Sequence, residues 1–112
     1  MTTEWDALPD TIKTFMTALD AREDDRASAA FAADAVVTDD GRDYRGRDEI
    51  EAWLADSVSE YTYTSEFTGA TTTAGIVDVG QRLQGDFPGG VVDLHYRFTL
   101  RDALISRLVI EP

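Results

Sequence analysis

Cysteine is absent from this chain, histidine occurs once and lysine once. The lack of cysteine excludes a disulfide framework, and with His95 as the lone imidazole no zinc or iron constellation of His and Cys can be assembled, so no metal is expected. Glycine is not gathered into a phosphate-binding loop either. Gly69, Gly75, Gly80 and Gly85 are dispersed, and Gly89-Gly90 belongs to a turn after Pro88, so no nucleotide cofactor is expected. No apolar run approaches the roughly 18 residues of a membrane span. The start, Met-Thr-Thr-Glu-Trp-Asp, has neither the basic nor the apolar region of a signal peptide, and a cytoplasmic location follows as the default. Positive charge is scarce: ten basic residues face twenty-two acidic ones, for a net charge of −12. Such a surface repels nucleic acid and anionic membranes, which removes both as expected partners.

What is present is an ordinary globular composition, 43% hydrophobic and 29% charged over 112 residues. That is the size of a single domain, expected to span residues 1–112. From Leu8 to Ala21, Leu8, Ile12, Phe15, Met16 and Leu19 recur at helical spacing, with Pro9 suited to the first turn. The Ala-rich segment Arg26 to Phe31 predicts a second, short helix. Ala35-Val36-Val37-Thr38 has β-branched strand character, and Asp39-Asp40-Gly41 signals a turn into a brief strand around Tyr44. A third helix opens after Gly46, with Ile50, Trp53 and Leu54 on one face and its end near Ser57 or Ser59.

From Glu60 the period changes to two, with Tyr61, Tyr63, Ser65 and Phe67 sharing a face. Three further strands read as Ile76 to Gln84, Val91 to Leu100 and Leu104 to Ile110, an antiparallel meander. Helices gathered ahead of such a sheet define an α+β layer architecture with an opening at one end. On the third of these strands His95 alternates with Leu94 and Tyr96, which places it with Asp93 and Arg97 on the polar, outer face.

Two stretches carry a resemblance. Phe31-Ala32-Ala33-Asp34-Ala35-Val36-Val37-Thr38-Asp39, then Tyr44-Arg45-Gly46-Arg47-Asp48-Glu49-Ile50-Glu51-Ala52-Trp53, resemble the signature of the NTF2-like superfamily, which includes SnoaL-like polyketide cyclases and ketosteroid isomerase. The closing pattern from Arg97 to Ile110 extends the likeness over nearly the whole chain. The resemblance implies a cone-shaped α+β barrel, cystatin-like, with three helices packed on a curved antiparallel sheet. It also implies a homodimer through the outer sheet face. A cone of this size leaves a pocket for a small hydrophobic molecule. The inward positions expected to line it are Phe15, Leu19, Trp53, Tyr61, Tyr63, Leu94, Tyr96 and Phe98.

Asp39 falls where ketosteroid isomerase keeps its catalytic carboxylate, so the resemblance makes it the catalytic candidate. The residues alone leave a second reading open, since a short acidic side chain before Gly also builds turns. The positions matching that enzyme's oxyanion donors are Phe15 and Leu94, and its further tyrosines correspond to Phe31 and Leu54. Two functions remain: an isomerase, cyclase or hydratase acting on a small apolar carbonyl compound without metal or nucleotide cofactor, or a non-catalytic small-molecule-binding or accessory domain.

Overall fold

The computed structural model describes residues 3–56 and 62–112. After a short 3-10 turn at Trp5–Ala7, the chain forms α1 (Asp10–Asp20), α2 (Asp24–Ala29), β1 (Phe31–Asp39), β2 (Arg42–Arg45), α3 (Gly46–Asp56), β3 (Tyr63–Thr73), β4 (Ile76–Gly85), β5 (Val91–Arg101) and β6 (Leu104–Glu111). None of the described helices is long and apolar enough to cross a membrane.

Helix α1 buries Ile12, Phe15, Met16, Ala18 and Leu19, the stripe its 3.6-residue period dictates. Pro9 sits at the N-cap position, just outside the first turn where it was expected, and Asp10 supplies the acidic charge favoured by the helix dipole. In α3, Ile50, Trp53 and Leu54 face inward. The start of α3 is tied down twice: Glu49 accepts a hydrogen bond from the Arg45 backbone N–H at 3.0 Å, and the Arg47 guanidinium donates to the Phe31 carbonyl at 2.7 Å. Where α3 ends, at Ser57 or Ser59, lies outside the described residues.

The strands form one open sheet in the order β2-β1-β6-β5-β4-β3. The meander from β3 to β6 is antiparallel as expected, and β1 and β2 pair as a hairpin. The sheet as a whole is mixed, because β1 runs parallel to β6. Parallel neighbours require a long crossover, and here α3 and the rest of the meander supply it. That pairing also corrects the second helix, expected to reach Phe31. The Ile105 N–H donates to the Ala30 carbonyl and Phe31 pairs with Ile105, so β6 captures the backbone there and the helix ends at Ala29. A distant strand outweighs the local helix propensity of alanine.

On β3 the alternation expected from Tyr63 to Phe67 is present, and it is interrupted once. Phe67 pairs with Gln81 and Gly69 with Gly80, so Thr68 is the extra residue of a bulge. The parity shift turns Ala70, instead of Gly69, toward the core beside Val79. The described helices and the inner sheet face enclose one apolar cluster, with Phe15 edge-on to both Phe31 (centroids 5.2 Å apart) and Phe98 (5.7 Å).

Candidate functional site

At the end of the sheet where β1 finishes, helices and strands do not meet, and a cleft of about 850 Å³ remains. Such a volume suits a small organic ligand. Most elements contribute to it: Leu19 from α1, Asp39 from β1, Trp53 from α3, Tyr63 from β3, Leu83 from β4, Leu94 and Tyr96 from β5, and Ile110 from β6. The β1–β2 hairpin adds Asp40, Arg42 and Tyr44, and the β4–β5 connection adds Phe87 and Pro88.

Asp39 is the last residue of β1, where a two-residue turn begins: Asp40 and Gly41 both have positive φ (53° and 75°), and Arg42 returns to pair with Asp39. On its other side Asp39 pairs with Ile110 of β6, so the carboxylate's backbone is held in the sheet between two strands. Its Oδ2 accepts a hydrogen bond from the indole Nε1–H of Trp53 at 3.0 Å. Burial raises the Asp39 carboxyl above the ordinary carboxylate value. The Trp53 hydrogen bond pulls it back, the charge of Asp40 pushes it up and the Asp40 backbone N–H lowers it.

Two tyrosines stand around this carboxylate. Tyr96 is 4% exposed, and its hydroxyl is pushed well above its ordinary value by burial first and then by Tyr63, Asp39 and Asp20. Burial also raises Tyr63, against the opposing charge of Arg22, whose guanidinium lies 4.9 Å from the ring centroid. Both hydroxyls therefore keep their protons at neutral pH and are hydrogen-bond donors.

Of the positions expected to form the pocket, Leu19, Trp53, Tyr63, Leu94 and Tyr96 border the cleft beside Asp39. Phe15 and Phe98 do not. Both are fully buried and close-packed against each other, so these rings fill the interior behind the cleft. Tyr61 lies outside the described residues. The contributions of Arg42 and Tyr44 were not anticipated; the signal for them is the register, since a two-residue turn after Asp39 brings the next strand directly alongside. His95 points away on the outer face, with Nδ1 2.9 Å from Asp78 Oδ1, and Arg97 bridges Asp78 and Glu111 there.

Comparison with known proteins matches residues 2–102 to the SnoaL-like domain family. A crystal structure from Sinorhizobium meliloti, provisionally assigned as a polyketide cyclase, is 32% identical and superposes with a TM-score of 0.90 over 97% of this chain and 100% of its own. A Catenulispora acidiphila protein with a ketosteroid isomerase-like fold, solved with trimethylamine, is 18% identical with a TM-score of 0.81, covering 95% of this chain and 87% of that one. A Mycobacterium tuberculosis protein in complex with estradiol-17beta-hemisuccinate is 14% identical with a TM-score of 0.74, over 91% and 90% of the two chains. These last two likenesses are of fold alone. Among curated proteins, none matches. With the family matched over most of its length and the cone and its cleft in place, the chain belongs to the SnoaL-like domain family, on the NTF2-like fold shared with ketosteroid isomerase.

Proposed function

We propose that the cleft binds a small hydrophobic carbonyl compound and that Asp39 moves a proton at the carbon next to the carbonyl, in isomerase, cyclase or hydratase chemistry. The observation that carries this reading is a half-buried carboxylate with a raised pKa in a cleft whose other walls are mostly aliphatic and aromatic side chains, with charged residues at the β1–β2 hairpin and at Glu111. The ionised Asp39 takes the proton from the α-carbon, the electron pair moves onto the carbonyl oxygen, and a hydroxyl from Tyr63 or Tyr96 donates to the enolate. Asp39 then returns the proton to the product carbon. The carboxylate's share is a factor of about 10² to 10⁴ in rate. The Mycobacterium tuberculosis neighbour's steroid ester and the S. meliloti relative's cyclase assignment support a ligand of this size and polarity.

A second reading, a non-catalytic binding domain, is favoured by Phe15 and Leu94, the positions that the resemblance matches to the oxyanion donors of ketosteroid isomerase. Exchange of α-protons of a cyclic enone into D2O, followed by NMR, separates the two. Catalysed exchange that falls at least a hundredfold in Asp39→Asn and survives in Asp40→Asn supports the proton-transfer reading. Saturable binding of the enone without exchange leaves the binding domain. We further propose a homodimer through the outer sheet face, which the resemblance implies and whose polar composition, with the pairs Arg82–Asp93 and Arg97–Asp78, suits either a wet interface or solvent. Light scattering at dilute concentration that returns the 12.4 kDa of one chain overturns it.

A further inference from the structure

The chain has ten cationic side chains of Lys and Arg. Nine of them are engaged. Lys13, Arg26, Arg45, Arg82, Arg97 and Arg101 pair with carboxylates, Arg47 and Arg107 donate to backbone carbonyls, and Arg22 lies over the Tyr63 ring. The Arg42 side chain alone has no hydrogen bond or ion pair among the described residues, and it is the one cation among the described residues on the wall of the cleft. In a protein of net charge −12, where carboxylates outnumber cations more than two to one, a guanidinium without a partner is the exception.

We infer that the ligand carries a carboxylate as well as its apolar body, and that Arg42 is the specificity-determining residue that receives it. Arg42 is exposed at the start of β2, so an anion reaches it from solvent without entering the apolar interior. The planar guanidinium fork matches a carboxylate in two parallel hydrogen bonds. Three acidic side chains, Asp39, Asp40 and Glu111, also border the cleft and oppose an anion. Glu111 is already paired with Arg97, and Asp39 is turned to Trp53. Asp40, in the turn itself, and the ionised Asp39, which a neutral indole donor does not discharge, are the remaining opposing charges. The ligand is therefore oriented: its carboxylate lies at the hairpin rim, and its apolar, carbonyl-bearing body lies between Trp53, Tyr63 and Tyr96. This assignment of substrate class rests on the small-molecule cleft proposed above.

The test compares 1-naphthylacetate with its neutral amide, 1-naphthylacetamide, by calorimetry at low ionic strength. The acid is expected to bind the wild type about five-fold more tightly or better, the scale of a single accessible ion pair. The preference narrows as salt is added. Arg42→Gln should abolish it while the amide binds as before, which also shows that the variant is folded. Equal affinities in the wild type, tighter binding of the amide, or an equal loss for both probes in Arg42→Gln would each overturn the inference. Retained acid preference without catalysed proton exchange sinks only the proton-transfer reading, whereas failure of both probes to saturate at millimolar concentration sinks the cleft reading and this one together.

Discussion

Trp53 Nε1–H and Asp39 Oδ2 meet at 3.0 Å and join the middle of α3 to the end of β1. The indole is 1% exposed, so its one polar hydrogen has been taken out of water and needs an acceptor. Asp39 supplies it and in exchange is held at one edge of the cleft.

Replacement of Asp39 by Asn tests the burial of this carboxylate. Its folded-state pKa is raised above the unfolded value of about 3.9, so the folded protein holds the proton more tightly than the unfolded chain does. The stabilisation from that proton is fully present below the unfolded value and is lost as pH rises through the folded one. At pH 7 the ionised group therefore destabilises the fold. Asn keeps the shape and can still accept from Trp53. Asp39→Asn is expected to melt a few degrees above wild type at pH 7, with the gap closing on acidification. A mutant that melts lower at pH 7 would show that the ionised form is the one the fold favours.

The indole hydrogen can be removed by itself. In Trp53→Phe the carboxylate loses the strongest influence that lowers its pKa while its desolvation remains, so its titration should move further up. Carboxyl carbon NMR across the acidic range reads this directly. The fold should lose about 1 to 3 kcal/mol from the smaller ring and the vacated hydrogen bond. An Asp39 titration that does not move would mean the indole contact has no electrostatic consequence.

How much of this was readable in the sequence follows from the range of each interaction. The stripe on α1, the inward face of α3 and the alternation on β5 depend on near neighbours, and they stand where periodicity put them. The strand character of Phe31 and the parallel pairing with β6 depend on residues more than seventy positions away, beyond the reach of any local pattern. The bulge at Thr68 was hidden because it inserts one polar residue at a point where the next inward side chain is only Ala70. Phe15 and Phe98 show the limit for the site. Periodicity reports that a side chain points inward, but not whether it meets another ring or open space. Leu19 and Phe15 share the same helical face, yet one borders the cleft and the other closes the core.

The β5–β6 turn contains a local strain that can be relieved. Asp102 and Ala103 both lie at positive φ, 53° and 63°, the geometry of a tight primed hairpin turn. Alanine in that region carries a penalty of about 1 to 2 kcal/mol, against about 0.5 to 1 kcal/mol of extra backbone entropy that glycine would lose on folding. The Ala103 carbonyl accepts from Thr11 Oγ1 at 2.6 Å, a bond that needs no side chain at 103. Ala103→Gly is therefore expected to raise stability by about 0.5 to 1 kcal/mol, read as a higher denaturant midpoint with an unchanged slope. A lower midpoint would mean that the methyl group contributes packing that outweighs the strain.

The opposite experiment belongs at Gly85, the last residue of β4. Gly85 pairs directly with Tyr63, and a methyl group there would clash with the Thr62 carbonyl oxygen and stand 2.6 Å from Tyr63 Cβ and 2.9 Å from Tyr63 Cα. Two of these are backbone atoms, so no side-chain rotation relieves the clash and the start of β3 has to move. Overpacking of this kind costs about 1 to 3 kcal/mol. Tyr63 is carried on the displaced segment, and its hydroxyl is one of the two donors beside Asp39. Gly85→Ala should therefore lower the melting temperature and, under conditions where it is still folded, weaken ligand binding in the cleft. Gly75→Ala, in the β3–β4 turn away from the cleft, is the matched control: that residue has a positive φ of 80°, but a methyl group added there meets no atom within 4 Å. It should lose stability through backbone strain alone and leave the affinity of the cleft unchanged. If both variants weaken binding to the same degree, the coupling between Gly85 and Tyr63 is not specific to their contact.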